Sequence, residues 1–212
     1  IRSNKSPIRY LSIFAATWLA INLPFAITTP KGWWYFYKFN LQRGPDWGSI
    51  WTVAQNFGWN TGSTNYLSLI GTLAILAWVF VYLFSLRAVP KLAEVSFIVF
   101  TAALILSKVY SPQYVLWLTA LAVIALKTRE TLIVFWIWQV AELVYHVAIW
   151  QHLALISGAH FGLSQGFYSA ISMVRLAASI GMIASLARQV SKARFAQGKP
   201  WDFLFDSASS YP

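Results

Sequence analysis

The sequence lacks cysteine altogether and has few charged residues for its length. The 212 residues contain no Cys, so disulfide bonds, thiolate metal sites and cysteine nucleophiles are excluded. Only 10% of the residues are charged, whereas a soluble domain is about a quarter charged. Acidic residues are the scarcest, with 6 Asp and Glu against 16 Lys and Arg. These deficits disfavour a water-soluble globular domain.

What the sequence has instead is long apolar runs, which predict an all-α integral membrane protein of about six transmembrane helices. A spanning helix needs about 20 apolar residues. Four runs meet this length: 10–29, 66–86, 131–150 and 166–187. Two further candidates share 92–126, in halves of about 15 and 13 residues. The net charge of +10 does not indicate nucleic acid, because the basic residues lie between the apolar runs rather than along one polar face.

The distribution of Lys and Arg favours a helix hairpin over 92–126. A hairpin puts 11 of these residues on one side of the membrane and 4 on the other, whereas one continuous helix gives 5 against 9. The positive-inside rule therefore predicts six spans in the plasma membrane with both chain ends cytoplasmic. We expect a transmembrane domain over 1–190 and a cytoplasmic tail over 191–212.

This topology predicts two outer loops, about 30–65 and about 151–165. The first begins with six aromatic residues among Trp33 to Phe39, a composition that settles at the lipid headgroup layer. We expect it to anchor the chain at the interface, or to form a platform for a lipid or sugar. The turn residues of the run RGPDWGS predict a short interfacial helix after it, from Ser49 to Phe57.

The centre of the hairpin reads KVYSPQY, from Lys108 to Tyr114. Pro112 removes a backbone donor and biases Ser111 away from helix, so nearby carbonyl groups lose their helical partners. Such backbone persists in a membrane only where protein or a wet cavity covers it. The block is either a polar turn whose Lys108 reaches water, or a site for a phosphate and sugar hydroxyls.

The run KVYSPQYVLWL resembles the Lys-x-x-Ser/Thr-Pro/x-Gln-Tyr block of GT-C fold glycosyltransferases. It is most similar to two groups: the actinobacterial polyprenyl-phosphate-mannose-dependent mannosyltransferases (glycosyltransferase family 87), and the catalytic subunit of the first GPI mannosyltransferase. The run RGPDWGSIW also resembles the actinobacterial members. The resemblance covers about half of the chain, from Trp33 to Leu126.

The resemblance implies an inverting transferase of the cell envelope that moves a sugar, most often mannose, from a polyprenyl-phosphate carrier to a lipid or glycan acceptor at the outer face. It implies that Lys108 holds the carrier phosphate and that Tyr110, Gln113 and Tyr114 shape the pocket. A cation beside a leaving phosphate is chemically sensible. We expect no cofactor and no metal, and we expect membrane lipids as partners.

Members of the family carry an essential Asp or Glu in the first outer loop, where a base activates the acceptor hydroxyl. Asp46 is the one acid in the outer loops of this chain. Since the chain begins with Ile1 rather than Met, we expect a C-terminal portion whose catalytic acid lies upstream in the same enzyme. Asp46 would be the base only if the chain is complete.

Three ionisable residues are expected to be buried in the membrane. Glu142 and His146 share one face of the fifth span, and Arg175 lies in the sixth. They predict a structural pairing of Arg175 with Glu142 or His146, a headgroup site at Arg175, or a proton relay. The same residues suggest a rival function, a transporter or flippase module, and a third is a non-catalytic assembly subunit. His152 and His160 are interpreted as interfacial residues and not as metal ligands.

Overall fold

The computed structural model describes residues 7–59, 62–86 and 90–192, and over these residues it contains eight α-helices and no strand. The helices are α1 Pro7–Thr28, α2 Pro30–Gln42, α3 Ile50–Asn56, α4 Thr64–Ser85, α5 Leu92–Leu106, α6 Tyr114–Ala125, α7 Arg129–Ile156 and α8 Gln165–Lys192. The prediction of an all-helical protein is confirmed for the described residues. The tail predicted beyond Lys192 lies outside them, as do Arg2, Lys5, Arg87, Arg194 and Lys199 of the charge count.

Four helices, α1, α4, α7 and α8, are long and apolar enough to cross a membrane, and α5 and α6 are shorter apolar helices. Large apolar side chains point away from the protein along these helices. Leu116 is 70% exposed and Trp150 is 68% exposed. A soluble monomer rarely exposes so much contiguous apolar surface. The helices therefore indicate a multi-pass membrane protein, as predicted.

The chain divides into two compact units, and the described part of the first contains α1 and α2. Thr29 separates the two helices, and Pro30 occupies the first turn of α2, where its missing N–H costs nothing. The indole N–H of Trp33 donates to the Asn22 side chain at 3.1 Å. The aromatic run predicted as the start of a loop is thus a helix, in which rings one turn apart contact one another, such as Trp33 and Tyr37, whose centroids lie 4.9 Å apart.

The described part of the second unit contains α3 to α8, with α5 at its centre. Helix α5 packs against α3, α4, α6 and α8, and α7 packs along α8. Phe97, Trp138 and Met182 are fully buried where these helices meet. The Phe97 and Trp138 rings lie edge to face with centroids 5.5 Å apart. Because α7 and α8 are mostly apolar, each polar side chain they bury needs a partner inside the bundle.

The stretch 92–126 forms two helices with a non-helical break over 107–113. Helices α5 and α6 pack against one another, as in a hairpin. A second expected feature, the short helix after the aromatic run, corresponds to α3, and the Ser49 hydroxyl accepts the Thr52 N–H at its first turn. These two local features lie side by side and form the candidate site.

Candidate functional site

The segment that leads into α3 lies against the break between α5 and α6. The backbone N–H of Asp46 donates to the carbonyl oxygen of Lys108 at 2.7 Å. The Asp46 carbonyl in turn accepts the Ser49 N–H at 2.9 Å and the Thr52 hydroxyl at 2.6 Å. These bonds fix the backbone of Asp46 on both sides. The single acid of the first predicted outer loop is therefore held beside the block that contains Lys108.

The carbonyl groups that the break frees from helical bonds find partners on other helices. The Leu106 carbonyl accepts the indole N–H of Trp51 and the hydroxyl of Ser68, both at 2.9 Å. The Tyr110 carbonyl accepts Nη1 of Arg175 at 3.1 Å. Together with the bond from Asp46 N–H to the Lys108 carbonyl, these contacts connect the break to α3, α4 and α8. The carbonyl groups of Leu106, Lys108 and Tyr110 thus have protein partners, as backbone inside a membrane protein requires.

Arg175 lies at the centre of the site and is fully buried. Its Nε donates to Glu142 Oε2 at 2.8 Å, so of the predicted alternatives the structure shows the pairing with Glu142. The guanidinium carbon lies 3.8 Å from the centre of the Tyr110 ring and 4.1 Å from that of Tyr145. Two ring faces and one carboxylate therefore stabilise this charge in place of water. We call these four residues the Arg175 cluster.

Hydroxyl groups add further polar contacts to the cluster. The Tyr110 hydroxyl donates to Glu142 Oε1 at 3.4 Å and lies 3.3 Å from the Ser179 hydroxyl. The indole N–H of Trp138 donates to Ser179 Oγ at 3.2 Å. Tyr110 belongs to the connection between α5 and α6, and its phenol is the donor in the bond to Glu142.

Gly48 closes the cluster from the side of α3, and only a residue without a side chain fits there. A Cβ atom on Gly48 would lie 2.7 Å from Nη1 of Arg175 and 2.8 Å from the Tyr145 hydroxyl, besides meeting the Tyr110 carbonyl. Such distances are shorter than ordinary contacts, so an added methyl group would displace the cluster. The glycine of the run RGPDWGS thus serves a close approach and not only a turn.

An aromatic group extends the site towards the end of α7. The Tyr168 hydroxyl donates to the Trp47 carbonyl and lies 3.2 Å from the Tyr145 hydroxyl. The His152 ring stacks on Tyr168 with centroids 4.5 Å apart. His152 lies near the end of α7, which continues to Ile156, and it is only 3% exposed, so it packs inside the protein; its interfacial position stays a prediction.

The remaining predicted residues lie in different surroundings. Lys108 is half-buried, and its Nζ donates to Asn65 Oδ1 at 2.6 Å. Gln113 is exposed and accepts the hydroxyl of its neighbour Ser111 at 2.9 Å. The Tyr114 ring stands beside that of Trp117, with centroids 5.3 Å apart. Lys108 therefore lies where Asp46 meets the break, whereas Gln113 and Tyr114 make local contacts.

Of the histidines, His146 directs Nδ1 to the Glu142 carbonyl, 3.0 Å away on its own helix. This bond uses the backbone of Glu142 and leaves its carboxylate to Arg175. His160 is exposed in the connection between α7 and α8. Among the described residues, the ion-paired partner of Arg175 is thus Glu142 and not His146.

Sequence reasoning missed Tyr145, Tyr168 and Gly48. The site residues on α8 could have been found from the sequence, because polar residues recur in this apolar helix at helical spacing and so share one face. All four are buried: Tyr168, Ser172, Arg175 and Ser179. On α7 the matching face carries Glu142, Tyr145 and His152. The close approach of Gly48 has no such local signal, since it depends on contacts with α7 and α8.

A second polar cluster lies further along α8, about 21 Å from Arg175 at 1.5 Å per residue. Glu94 is fully buried and pairs with Lys127 at 2.5 Å. Gln189 donates to Glu94 at 3.0 Å and to the Ala125 carbonyl at 2.9 Å, and it accepts the Lys127 N–H at 3.0 Å. We call Glu94, Lys127 and Gln189 the Glu94 cluster. It joins the start of α5, the end of α6 and the last turns of α8.

Comparisons of the chain with protein-family models, with curated proteins and with solved structures find no match. In residues 7–59, 62–86 and 90–192, no group of three or more His, Asp or Glu side chains is suited to hold a metal ion. The site offers the half-buried cation of Lys108, the carboxylate of Asp46, which accepts the Trp47 N–H at 2.8 Å, and a buried ion pair between aromatic rings.

Proposed function

We propose that the chain contributes to a membrane glycosyltransferase that moves a sugar from a polyprenyl-phosphate carrier to a lipid or glycan acceptor, with inversion. Mannose is the sugar that the resemblance favours. The observation that carries the proposal is the backbone bond between Asp46 and Lys108 at 2.7 Å. It joins the only acid of the first predicted outer loop to the cation of the KVYSPQY block.

Each group has a role that its chemistry supports. Lys108 binds the carrier phosphate and stabilises the charge that develops on it as the sugar leaves. Asp46 is the candidate base that removes the proton of the acceptor hydroxyl, which then attacks the sugar from the face opposite the phosphate. Gln113 and Tyr114 are exposed or half-buried beside the block and are available to sugar hydroxyls.

The Arg175 cluster supports this site from within the bundle. Arg175 donates Nε to Glu142 and Nη1 to the Tyr110 carbonyl, while its buried Nη2 has no hydrogen-bond partner among the described residues. We assign Arg175 the role of a positioning residue that holds the break in shape. Tyr110, which is fully buried, belongs to the same support rather than to the pocket surface.

We further propose six membrane crossings, α1 and α4 to α8, in the plasma membrane, with both chain ends cytoplasmic. Helices α5 and α6 rise about 22 and about 18 Å at 1.5 Å per residue, less than a hydrocarbon core of about 30 Å. Residues of the break over 107–113 complete those two crossings. The protein contacts that cover the break support this assignment, since bare non-helical backbone is not tolerated in lipid.

The first outer segment is proposed to lie at the outer membrane interface. In α2, Trp34 is 52% exposed and Phe36 is 65% exposed, as expected of rings directed to lipid headgroups. Helix α3 is likewise proposed to be interfacial, and its Trp51 indole N–H donates to the Leu106 carbonyl at the break. Spin labels at these rings, quenched by reagents of known membrane depth, would test the height of α2.

The direct test of the function compares Lys108→Ala with Lys38→Ala. Lys38 is an exposed cation of α2 and serves as the matched control. Transfer of labelled sugar from polyprenyl phosphate into lipid product is measured in membranes that contain equal amounts of each variant. Loss of a charge-assisted phosphate contact is worth about 1.5 to 3 kcal/mol, so Lys108→Ala should lower transfer about ten- to a hundredfold.

Asp46→Asn tests the second role in the same assay. The amide keeps the size and the backbone bond to Lys108 but is not a base, so transfer should fall while carrier binding is kept. Wild-type transfer by Lys108→Ala would reject the phosphate assignment. Wild-type transfer by Asp46→Asn alone would reject Asp46 as the base and leave the phosphate site standing.

A transporter or flippase is the second candidate, and the buried pair of Glu142 and Arg175 inside two long apolar helices is what favours it. Both charges are paired, however, and the guanidinium packs between two rings, which is typical of structural support. Reconstituted vesicles distinguish the two functions. Movement of the carrier lipid across the bilayer without sugar transfer would favour the transporter.

A further inference from the structure

A cleft of about 510 Å³ opens between α7 and α8 at the end of the bundle that holds the Glu94 cluster. Three cations line it: Lys127, Arg188 and Lys192. Hydroxyl groups of the first turn of α7 and of Ser185 stand beside them. The proposed glycosyltransferase does not use this cleft, whose cationic mouth at Arg188 and Lys192 lies about 20 Å or more along α8 from Arg175.

Buried side chains fix the position of the residues that line the cleft. Lys127 is anchored by the fully buried carboxylate of Glu94, and its backbone N–H is bound by Gln189, which is 6% exposed. Thr128 caps α7 by accepting the Thr131 N–H at 3.2 Å. The first N–H groups of α7 therefore add positive potential at the same mouth.

Of the three cations at the mouth of the cleft, two are paired with carboxylates and one is not. Lys127 is balanced by Glu94, and Lys192 lies 3.4 Å from Glu130 in a pair whose side chains are 71% and 82% exposed. Arg188 is exposed and has no ion-pair partner among the described residues. A guanidinium group presents two parallel N–H donors, the arrangement that fits two oxygens of one phosphate.

The floor of the cleft is lined by apolar and small residues. Such a floor can pack against a lipid chain, whereas a free anion makes no use of it. Val134, Gly181 and Ala184 line it. A Cβ atom on Gly181 would meet no atom within 4 Å, so the cleft is open at this point. Ile180 and Ile133, next to the floor residues, are 52% and 53% exposed on the apolar surface of the helices. The cleft thus runs from a cationic mouth onto the surface that faces lipid chains.

We propose that this cleft binds an anionic phospholipid, with the phosphate at Arg188 and Lys192 and the start of an acyl chain over Gly181. Bulk attraction of an anionic membrane surface to basic residues would not need an apolar floor. A free phosphate would not need one either. The combination of a cationic mouth and an open apolar floor fits a molecule that carries both parts.

The test is a titration of the purified protein in neutral detergent with phosphatidylglycerol, read by native mass spectrometry. Arg188→Gln removes the unpaired cation, and Gly181→Leu fills the open floor. Arg129→Gln is the matched control, because Arg129 is an exposed cation at the start of α7 that does not line the cleft. Phosphatidylcholine and glycerol phosphate are titrated in parallel as a neutral lipid and a headgroup without chains.

We expect Arg188→Gln and Gly181→Leu each to weaken phosphatidylglycerol binding about tenfold, the loss of one charge-assisted or well-packed contact. Arg129→Gln should change it less than about twofold. Equal effects of Arg188→Gln and Arg129→Gln would overturn the proposal in favour of general surface charge. Glycerol phosphate binding as tightly as the lipid, with no effect of Gly181→Leu, would overturn it in favour of a free phosphate.

These readouts do not depend on sugar transfer. The binding titration alone tests the lipid site, whether or not Lys108→Ala affects transfer. Arg188 is exposed and the space at Gly181 is open, so neither variant disturbs the packed core. Thermal unfolding of each variant, measured beside the titration, checks this directly.

Discussion

Helix α8 contributes to two polar clusters whose ion pairs lie in different surroundings. In the Arg175 cluster both charged side chains are withdrawn from solvent, with 0% of Arg175 and 2% of Glu142 exposed. In the Glu94 cluster the carboxylate is equally buried, but Lys127 is 34% exposed. A pair that is wholly buried relies on each partner to balance the other, whereas a half-exposed cation can still be hydrated. The two clusters should therefore respond very differently to the loss of one charge.

Arg175→Met should give the largest loss of stability. It leaves the Glu142 carboxylate buried without its cation, and breaking such a pair costs about 3 to 5 kcal/mol. The measurement is the free energy of unfolding in mixed micelles. Adding Glu142→Gln to Arg175→Met should recover part of the loss, because the uncompensated charge is then gone. A double variant no more stable than Arg175→Met would show that the pair contributes packing rather than charge balance.

Gly48→Ala should come second, with a loss of about 2 kcal/mol from overpacking against the Arg175 cluster. The added Cβ would lie 2.7 Å from Nη1 of Arg175. Gly44→Ala is the matched control, because a Cβ on Gly44 would meet nothing within 4 Å. The control should stay within about 0.5 kcal/mol of the parent in the same unfolding measurement. Equal behaviour of the two alanines would contradict the close approach at Gly48.

Lys127→Met should have a smaller effect than either, about 1 to 2 kcal/mol. Glu94 keeps hydrogen bonds from the Gln189 side chain at 3.0 Å and from the Lys91 N–H at 2.7 Å. Hydrogen bonds to a charged group are worth about 1.5 to 3 kcal/mol, so the carboxylate stays partly compensated. Lys127→Arg should have a free energy of unfolding close to that of the parent protein. A loss as large as that of Arg175→Met would remove the distinction between the two clusters.

Lys192→Gln should change stability least, by less than about 0.5 kcal/mol. Its pair with Glu130 spans 3.4 Å between side chains that are 71% and 82% exposed. Exposed pairs of this kind contribute little because water and salt screen them. Unfolding at low and at high salt should give nearly the same small difference. A salt-sensitive loss above about 1 kcal/mol would mean that this pair is coupled to the Glu94 cluster.

The comparison also separates what could be predicted from what could not. The polar face of α8 follows from spacing alone, and Arg175 in an apolar run requires a partner in the bundle wherever it occurs. Which partner it has was left open between Glu142 and His146. That choice depends on side-chain direction, since Glu142 extends its carboxylate towards α8 while His146 folds back on its own helix.

The secondary structure of the first predicted outer loop follows less directly from the sequence. Its aromatic composition predicts an interfacial loop, yet residues 30–42 form α2. An aromatic composition indicates that a segment prefers the membrane interface, but it does not indicate the secondary structure, because both a loop and a helix can present rings to that interface. Pro30 at the first helical turn was the local signal for a helix start. The short helix after the glycine turn was easier, because a capping serine and turn residues mark it in the sequence.

The amino-acid sequence by itself determined the apolar helices, the break at Pro112 and the need to compensate each buried charge. Those features depend on local composition and spacing, which the chain carries whatever its neighbours are. Only the tertiary structure decided that Asp46 meets Lys108, that Gly48 closes over Arg175, and that Arg188 stands above an open apolar floor. The first two contacts join segments far apart in the chain, and they form because freed backbone groups and buried charges need partners inside the bundle.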